Sequence, residues 1–599
     1  MAAYVLLFWS SERPEAVARA AMLRDDLLRS ADWRLRAEAD GLAVYSAGPG
    51  LPVEPLVSAS GVLLGRIHRR PDRPLFSTRR LIEEIGDDPR AAAQRLVDEV
   101  WGGYLAAFAG GSGPPAILPD PSGAFQPLAW DAQGVWIVAS DLAGLPANLQ
   151  PPRAALQWDR IAEWLASPLA VTWRVGLQGV EALIAGALTY LETPLRSEPL
   201  WSPERFARNT PVRWDIALGQ VRAAVDHCTD ALATPHHRLI AEVSGGLDSA
   251  IVASALAGSG RAGAVSQWLS YYAPQREGDE RPYARAVAAR LGVSLTEAPR
   301  VSQSIEVEHL AATARAARPA IGRLDPWRDA DTAGRLRDAG ATALLSGQGG
   351  DAVFFQVPTP AILADAWRAG RPRAELSDLA LDLASWTRSS VWSTLRAAWG
   401  HHRGLPTPPP RAPLEGRWGE VAPPAPHPWI AAAASLPPGK RLQVVGLANA
   451  QSYRLATARS EAAEVVFPLL AQPVVELALG IPTYQLTKGG QGRAIARAAF
   501  ADRLPAQVAA RRSKGAMTAF YGRLLADSLD QVRPYLLDGC LCDSGLVSRA
   551  ALDQALTRPQ LLWGAPVSAI LQATVVEAWI RYWQTRVADA LHARRPQAA

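Results

Sequence analysis

The chain has 599 residues, 49% of them hydrophobic and 20% charged, a composition that excludes a disordered or fibrous protein. Its 62 Lys and Arg face 57 Asp and Glu, for a formal charge of +5, and basic residues cluster only in doublets such as Arg69-Arg70 and Arg511-Arg512, which argues against a nucleic-acid partner. Three cysteines, Cys228, Cys540 and Cys542, cannot make a disulfide framework and fit a reducing cytoplasm.

The first residues, Met1 to Trp9, contain an apolar run too short for a signal peptide or a membrane span and read as a β-strand. Helical stretches follow around 12–30 and 88–100. Val62–Ile67, Tyr104–Phe108, Ala116–Leu118 and Val135–Val138 are short apolar runs separated by Gly, Pro and Asp, the pattern of antiparallel strands joined by tight turns. Residues 1–205 therefore read as an α+β sandwich.

From residue 206 to 599 the rhythm becomes strand, loop, helix. Arg238–Val243 is a strand, and 249–257 a helix after a glycine-rich turn. Ala264–Tyr272 is a second strand, 279–291 is an amphipathic helix with Tyr283, Val287 and Leu291 on one face, and Thr342–Leu345 is a third strand. This alternation predicts a parallel sheet covered by helices, with ligands at the C-terminal strand ends. Residues 404–428 are a proline-rich surface excursion, and 430–590 read as mainly helical.

The chemistry is carried by Ser244-Gly245-Gly246-Leu247-Asp248-Ser249, which follows Val243 between a strand and a helix. Two glycines let backbone N–H groups approach an anion, and the helix N-terminus adds donors and partial positive charge. Asp248 would be repelled by phosphate unless Mg2+ lay between them. No Gly-Lys-Ser/Thr follows, which disfavours a Walker-type NTPase.

The hexapeptide resembles the PP-loop of the ATP pyrophosphatases, and further residues are similar to the asparagine synthetase superfamily. Ser346-Gly347-Gln348-Gly349-Gly350-Asp351 looks like that family's second ATP loop, and Gly278–Arg285 like the start of its next helix. Glu464–Leu470, Leu504-Pro505 and Arg511–Gly515 match its C-terminal pattern in order. The resemblance implies a glutaminase-like (Ntn-type) sandwich followed by an α/β PP-loop synthetase domain that binds ATP and Mg2+. It implies that residues 243–249 with Ser346, Gly347, Gly349 and Gly350 hold ATP, and that Asp248 and Asp351 hold the metal. Lys514 would steady developing charge; Glu464, with Glu461 as its rival, and Gln348 would orient an amine and accept its proton.

Two departures narrow the reading. Family members that take nitrogen from glutamine use a cysteine after Met1, whereas here residue 2 is Ala and no cysteine precedes Cys228, so that chemistry is expected to be dead. Gln348 stands where asparagine-forming enzymes carry an acid. Together with the chain length and the Trp-rich N-terminal part, these features look most like lasso-peptide macrolactam synthetases (lasso cyclases). Such an enzyme would take a precursor peptide and act with a leader peptidase. The alternatives are an asparagine synthetase or β-lactam synthetase with a small substrate, a PP-loop tRNA-modifying enzyme, and a degenerate scaffold.

Other features read as bland. Cys540 and Cys542 lack a metal partner set, and His236-His237 and His401-His402 read as solvated loop histidines. Trp268, Trp327 and Trp367 are candidates for lining a peptide pocket. Of the 62 basic residues only Lys440, Lys488 and Lys514 are lysines, which marks them as sites where a compact ammonium is needed.

Overall fold

The computed structural model describes residues 3–593 apart from 31, 49, 57–59, 71–80, 82, 84, 87, 110–112, 152–154, 167–172, 274–278, 301–303, 307–309, 312–313, 320–324, 406–413, 415, 417–424, 512–516 and 565. Residues 1 and 2, Gly278, Lys514 and most of the proline-rich excursion thus lie outside the described residues.

Side-chain alternation builds the N-terminal half. In the strand Ala3–Trp9, Tyr4, Leu6 and Phe8 point to one face and Val5 and Leu7 to the other, and all five are buried. This strand sits in a six-stranded antiparallel sheet ordered Glu181–Ala182, Leu128–Asp131, Val135–Ala139, Ala3–Trp9, Leu42–Ala47, Trp33–Ala39. A second six-stranded sheet is ordered Arg196–Pro199, Ala187–Tyr190, Ala116–Pro119, Val100–Phe108, Gly61–Arg69, Val53–Leu56. Tyr4, Leu6 and Phe8 meet Val62, Leu64, Leu105 and Ile117 between the sheets. On the other face, Val5 and Leu7 share a cluster with Leu23 and Leu27 of the helix Pro14–Arg29. The expected sandwich is present.

Its second sheet is not closed by water. Leu63, Trp101, Ala106 and Phe108 join one core with Val221 and Val225 of the helix Trp214–Ala233 and Val474 of the helix Gln472–Leu479. The C-terminal helices close the other side, where Trp579 of Val567–Ala593 meets Trp164 edge-on at 5.0 Å between centroids. The two halves are therefore welded by apolar surface rather than tethered.

The second half is organised by a five-stranded parallel sheet ordered Leu295–Pro299, Val265–Tyr272, Leu239–Glu242, Ala343–Leu345, Glu464–Val466. In chain order this is 3-2-1-4-5, so the switch point lies between Leu239–Glu242 and Ala343–Leu345, where a crevice opens beyond the strand ends. The helix Leu247–Gly258 is buried on every side through its first ten residues, which its apolar, non-periodic sequence requires. Two strands depart from the sequence reading. Leu295–Pro299 has no counterpart there, and Glu464–Val466 falls in a stretch read as helical because three residues are too few to show a period. Among the described residues no helix is long and apolar enough to cross a membrane.

Histidine burial sets an acid limit. Burial holds the His427 imidazole down at about 3, with Arg318 adding to the effect, and burial with His227 nearby holds His68 at about 4. An unfolded chain takes up these protons near pH 6.5 while the folded one does not, so stability present above that pH is lost as pH falls toward the folded values. Each such histidine costs up to about 1.4 kcal/mol per pH unit in that window. Thermal melting between pH 7 and 4 should therefore show a steep fall that His427→Gln makes shallower; an unchanged slope would contradict this assignment.

Candidate active site

Both glycine-rich loops leave the sheet at its switch point. Ser244–Ser249 follows the strand Leu239–Glu242, and Ser346–Asp351 follows its neighbour Ala343–Leu345. The first loop is folded on itself: the Ser249 hydroxyl accepts from the Ser244 backbone N–H (3.1 Å) and donates to the Gly246 carbonyl (3.1 Å). Gly245 has φ +73°, and a Cβ there would lie 2.8 Å from the Glu280 carbonyl oxygen. Gly246 caps the helix Leu247–Gly258 without any side-chain cap, so its first backbone donors have no partner from that residue.

The second loop packs directly on the first. A Cβ at Gly347 would stand 2.6 Å from the Asp248 carbonyl carbon, and one at Gly350 would stand 2.6 Å from the Asp248 Cγ. Each loop therefore fixes the other, and Asp248 lies at the contact.

Around them is a cavity of about 290 Å³ lined by both loops and by Glu242, Tyr271, Glu280, Arg300, Arg328, Tyr453, Arg493, Arg497, Arg511 and Phe520, among others. Of the expected residues, Ser244, Gly246, Leu247, Asp248, Ser249, Ser346, Gly347, Gln348, Gly349 and Asp351 line it. Val243 is buried behind the loop, and Gly245 and Gly350 shape it through the close approaches above.

Charge in the cavity is paired. Arg493 Nη1 lies 2.6 Å from Asp248 Oδ2, with both side chains largely buried. Arg511 Nη2 lies 2.8 Å from Glu280 Oε1. Arg328 Nη2 lies 2.7 Å from Glu242 Oε1; burial alone would raise the Glu242 carboxyl, but Arg328 and Arg459 outweigh it and hold it below the ordinary range. The buried Gln348 Oε1 has no hydrogen-bond partner among the described residues.

Glu464 is not brought to this cavity. It starts the edge strand, opposite Ala343 and hence at the N-terminal end of the sheet, where it pairs with Arg66 at 2.7 Å and lies 3.6 Å from His236 Nε2. Its rival Glu461 is exposed on the short helix Ala458–Ala462. Lys514 lies outside the described residues, though Arg511 before it and Phe520 after it both line the cavity.

Further corrections concern the aromatic and histidine residues. Trp268 is buried, Trp327 is partly exposed, and Trp367 stacks with Trp399 and His402; none lines the cavity. His236 is buried against Thr342, and His401 and His402 end the helix Val391–His402 rather than lying in a loop.

The family model for asparagine synthase matches residues 220–584. The chain belongs to the asparagine synthase family. Its members are ATP-dependent amide-forming ligases, and the matched span contains both loops and every cavity residue named above. No curated protein matches the chain.

Members of the family use ATP, and the residues lining the cavity are chemically compatible with a nucleotide and a divalent cation. Mg2+ is commonly held by one or two carboxylates plus phosphate oxygens and water, which does not require a protein cage. Asp248 and Asp351 can supply those carboxylates, while among the described residues no larger ligand cluster exists. A metal at Asp248 must share that carboxylate with Arg493 or displace it. Asp248→Asn and Asp351→Asn should each cut AMP formation at least about a hundredfold, equivalent to about 2.7 kcal/mol of lost transition-state stabilisation. Full activity with unchanged Mg2+ dependence in either variant would remove the loops from the reaction.

Proposed function

We propose that this amide-forming ligase closes a macrolactam within a ribosomally made peptide. The observation that carries the reading is Gln348, a neutral side chain that lines the cavity and whose buried carbonyl oxygen has no partner among the described residues. Asparagine-forming relatives are expected to hold an acid here, and no cysteine occurs among residues 1–227 to release ammonia from glutamine. Both features favour an amine that the substrate brings with it.

In this reading a side-chain carboxylate of the peptide attacks the α-phosphorus of ATP, and pyrophosphate leaves. The peptide's N-terminal amine then attacks the acyl carbon, AMP departs, and the proton the amine loses passes to solvent. The loop 244–249 cradles the pyrophosphate with backbone donors and serine hydroxyls, and Mg2+ held by Asp248 and Asp351 would offset phosphate charge. Gln348 Oε1 accepts a hydrogen bond from the incoming amine and so aims its lone pair at the acyl carbon. Lys514, between Arg511 and Phe520 in the sequence, would supply a cation for charge on the α-phosphate and acyl oxygen. Glu464 plays no part at this end of the sheet. The partners are the precursor peptide and a peptidase that removes its leader.

The test is mass spectrometry of the leader-free peptide encoded beside this gene, incubated with protein and Mg-ATP while AMP is quantified. The expected product has lost one water per AMP formed and lacks a free N-terminus. AMP formation only with a small amino acid, the peptide unchanged, would contradict macrolactam closure and move the protein to the small-substrate branch.

A further inference from the structure

One wall of the cavity comes from neither glycine-rich loop. Tyr453 lines it from the 3-10 turn Gln451–Arg454, which is clamped from outside the parallel sheet. Gln126 Nε2 donates to the Gln451 carbonyl at 2.7 Å, and Gln451 Nε2 donates to the Ser122 carbonyl at 3.4 Å. Gly123 has φ +69°, where most L side chains are strained, and a Cβ there would push against the Gln451 side-chain oxygen.

The clamping loop is itself rigid. Asp120 is fully buried and accepts from the backbone N–H of Phe125 at 3.0 Å and of Ala124 at 3.3 Å, as well as from the Ser122 hydroxyl. Arg454 lies close enough to Asp120 to offset part of the burial that raises its carboxyl, and its guanidinium covers Phe467 at 5.3 Å. Gln126 is held in turn by Arg318 Nη2 at 2.9 Å. The segment 120–126 thus joins two strands of the N-terminal sandwich, Ala116–Pro119 and Leu128–Asp131, and its outer edge grips the turn that carries Tyr453.

A tyrosine phenol is protonated at neutral pH at its ordinary value of about 10, so Tyr453 has a proton to donate to an anion in the cavity.

We propose that Tyr453 donates a hydrogen bond to nucleotide bound in the cavity, and that Gln126 and Gly123 are positioning residues through which the N-terminal sandwich sets that donor. The inference rests on the cavity binding nucleotide and is independent of which amide is made.

The experiment is a double-mutant cycle on the full-length protein, with affinity for α,β-methylene-ATP in the presence of Mg2+ read by titration calorimetry. Tyr453→Phe loses one hydrogen bond to a charged group, so binding should weaken roughly tenfold. Gln126→Ala should weaken it severalfold, and Gln126→Glu, which keeps the size but loses the donor, should do the same. The decisive result is the double variant: once the phenol oxygen is gone, Gln126→Ala should cost nothing further. An equal cost in both backgrounds, or wild-type affinity in Tyr453→Phe, would overturn the inference while leaving the nucleotide site standing. No binding by the wild-type chain would overturn the nucleotide reading itself.

Discussion

Asp248 is fixed by a contact that leaves no room for a side chain at Gly347 or Gly350 of the opposing loop. Gly347 and Gly350 press against its carbonyl carbon and carboxyl group, so the loops after two adjacent strands can coexist only while both positions remain glycine. Because those strands flank the switch point of the sheet, the same contact brings the Asp351 loop to the N-terminus of the helix Leu247–Gly258. Backbone donors at a helix start and the two carboxylates, the set an anion with its counter-ion would need, therefore arrive together. The surrounding core serves this end: a helix buried on all sides cannot rotate, and neither can the loop that begins it.

Charge follows from that constraint. A cavity that takes polyphosphate would need cations, yet buried cations without partners are costly. The structure meets both demands by pairing Arg328 with Glu242, Arg511 with Glu280 and Arg493 with Asp248. Arginine suits these positions because its planar fork can hold a carboxylate while presenting remaining N–H groups to a ligand. Lys440 shows where lysine is used instead. Its buried ammonium donates to Gln443 Oε1 and to the carbonyls of Leu479 and Ile481, satisfying the end of the helix Gln472–Leu479 with a compact, rotatable donor set.

Much of this was legible in the sequence where a local rule governs. The glycines and serines of 244–249, bounded by an apolar strand and an apolar helix, mark a loop at a strand end, and Ser346–Asp351 marks a second; the structure brings both to one cavity. The short apolar runs, beginning with 1–9, and the turn residues near 120–123 announce the sandwich. What stayed hidden depends on long-range packing. Tyr453 and Arg493 carry no local signal, and they reach the cavity only because a turn and a helix start dock there from more than a hundred residues away. Glu464 shows the reverse failure: its place in a family-like motif suggested chemistry, but its strand runs parallel to the others and starts at the far end, where Arg66 of the N-terminal sheet neutralises it. Glu242 could have been noticed, since a charge closing an apolar strand needs a buried partner.

The central claim is that a carboxylate is activated at the α-phosphorus of ATP between these two loops. It is tested most directly by labelling the reacting side-chain carboxylate of the peptide with 18O and weighing the nucleotide product. Attack at the α-phosphorus leaves one carboxylate oxygen on AMP when the amide forms, so AMP should carry one 18O atom per turnover. Label in inorganic phosphate instead, with ADP as the nucleotide product, would place the attack at the γ-phosphorus and contradict the assignment of both loops.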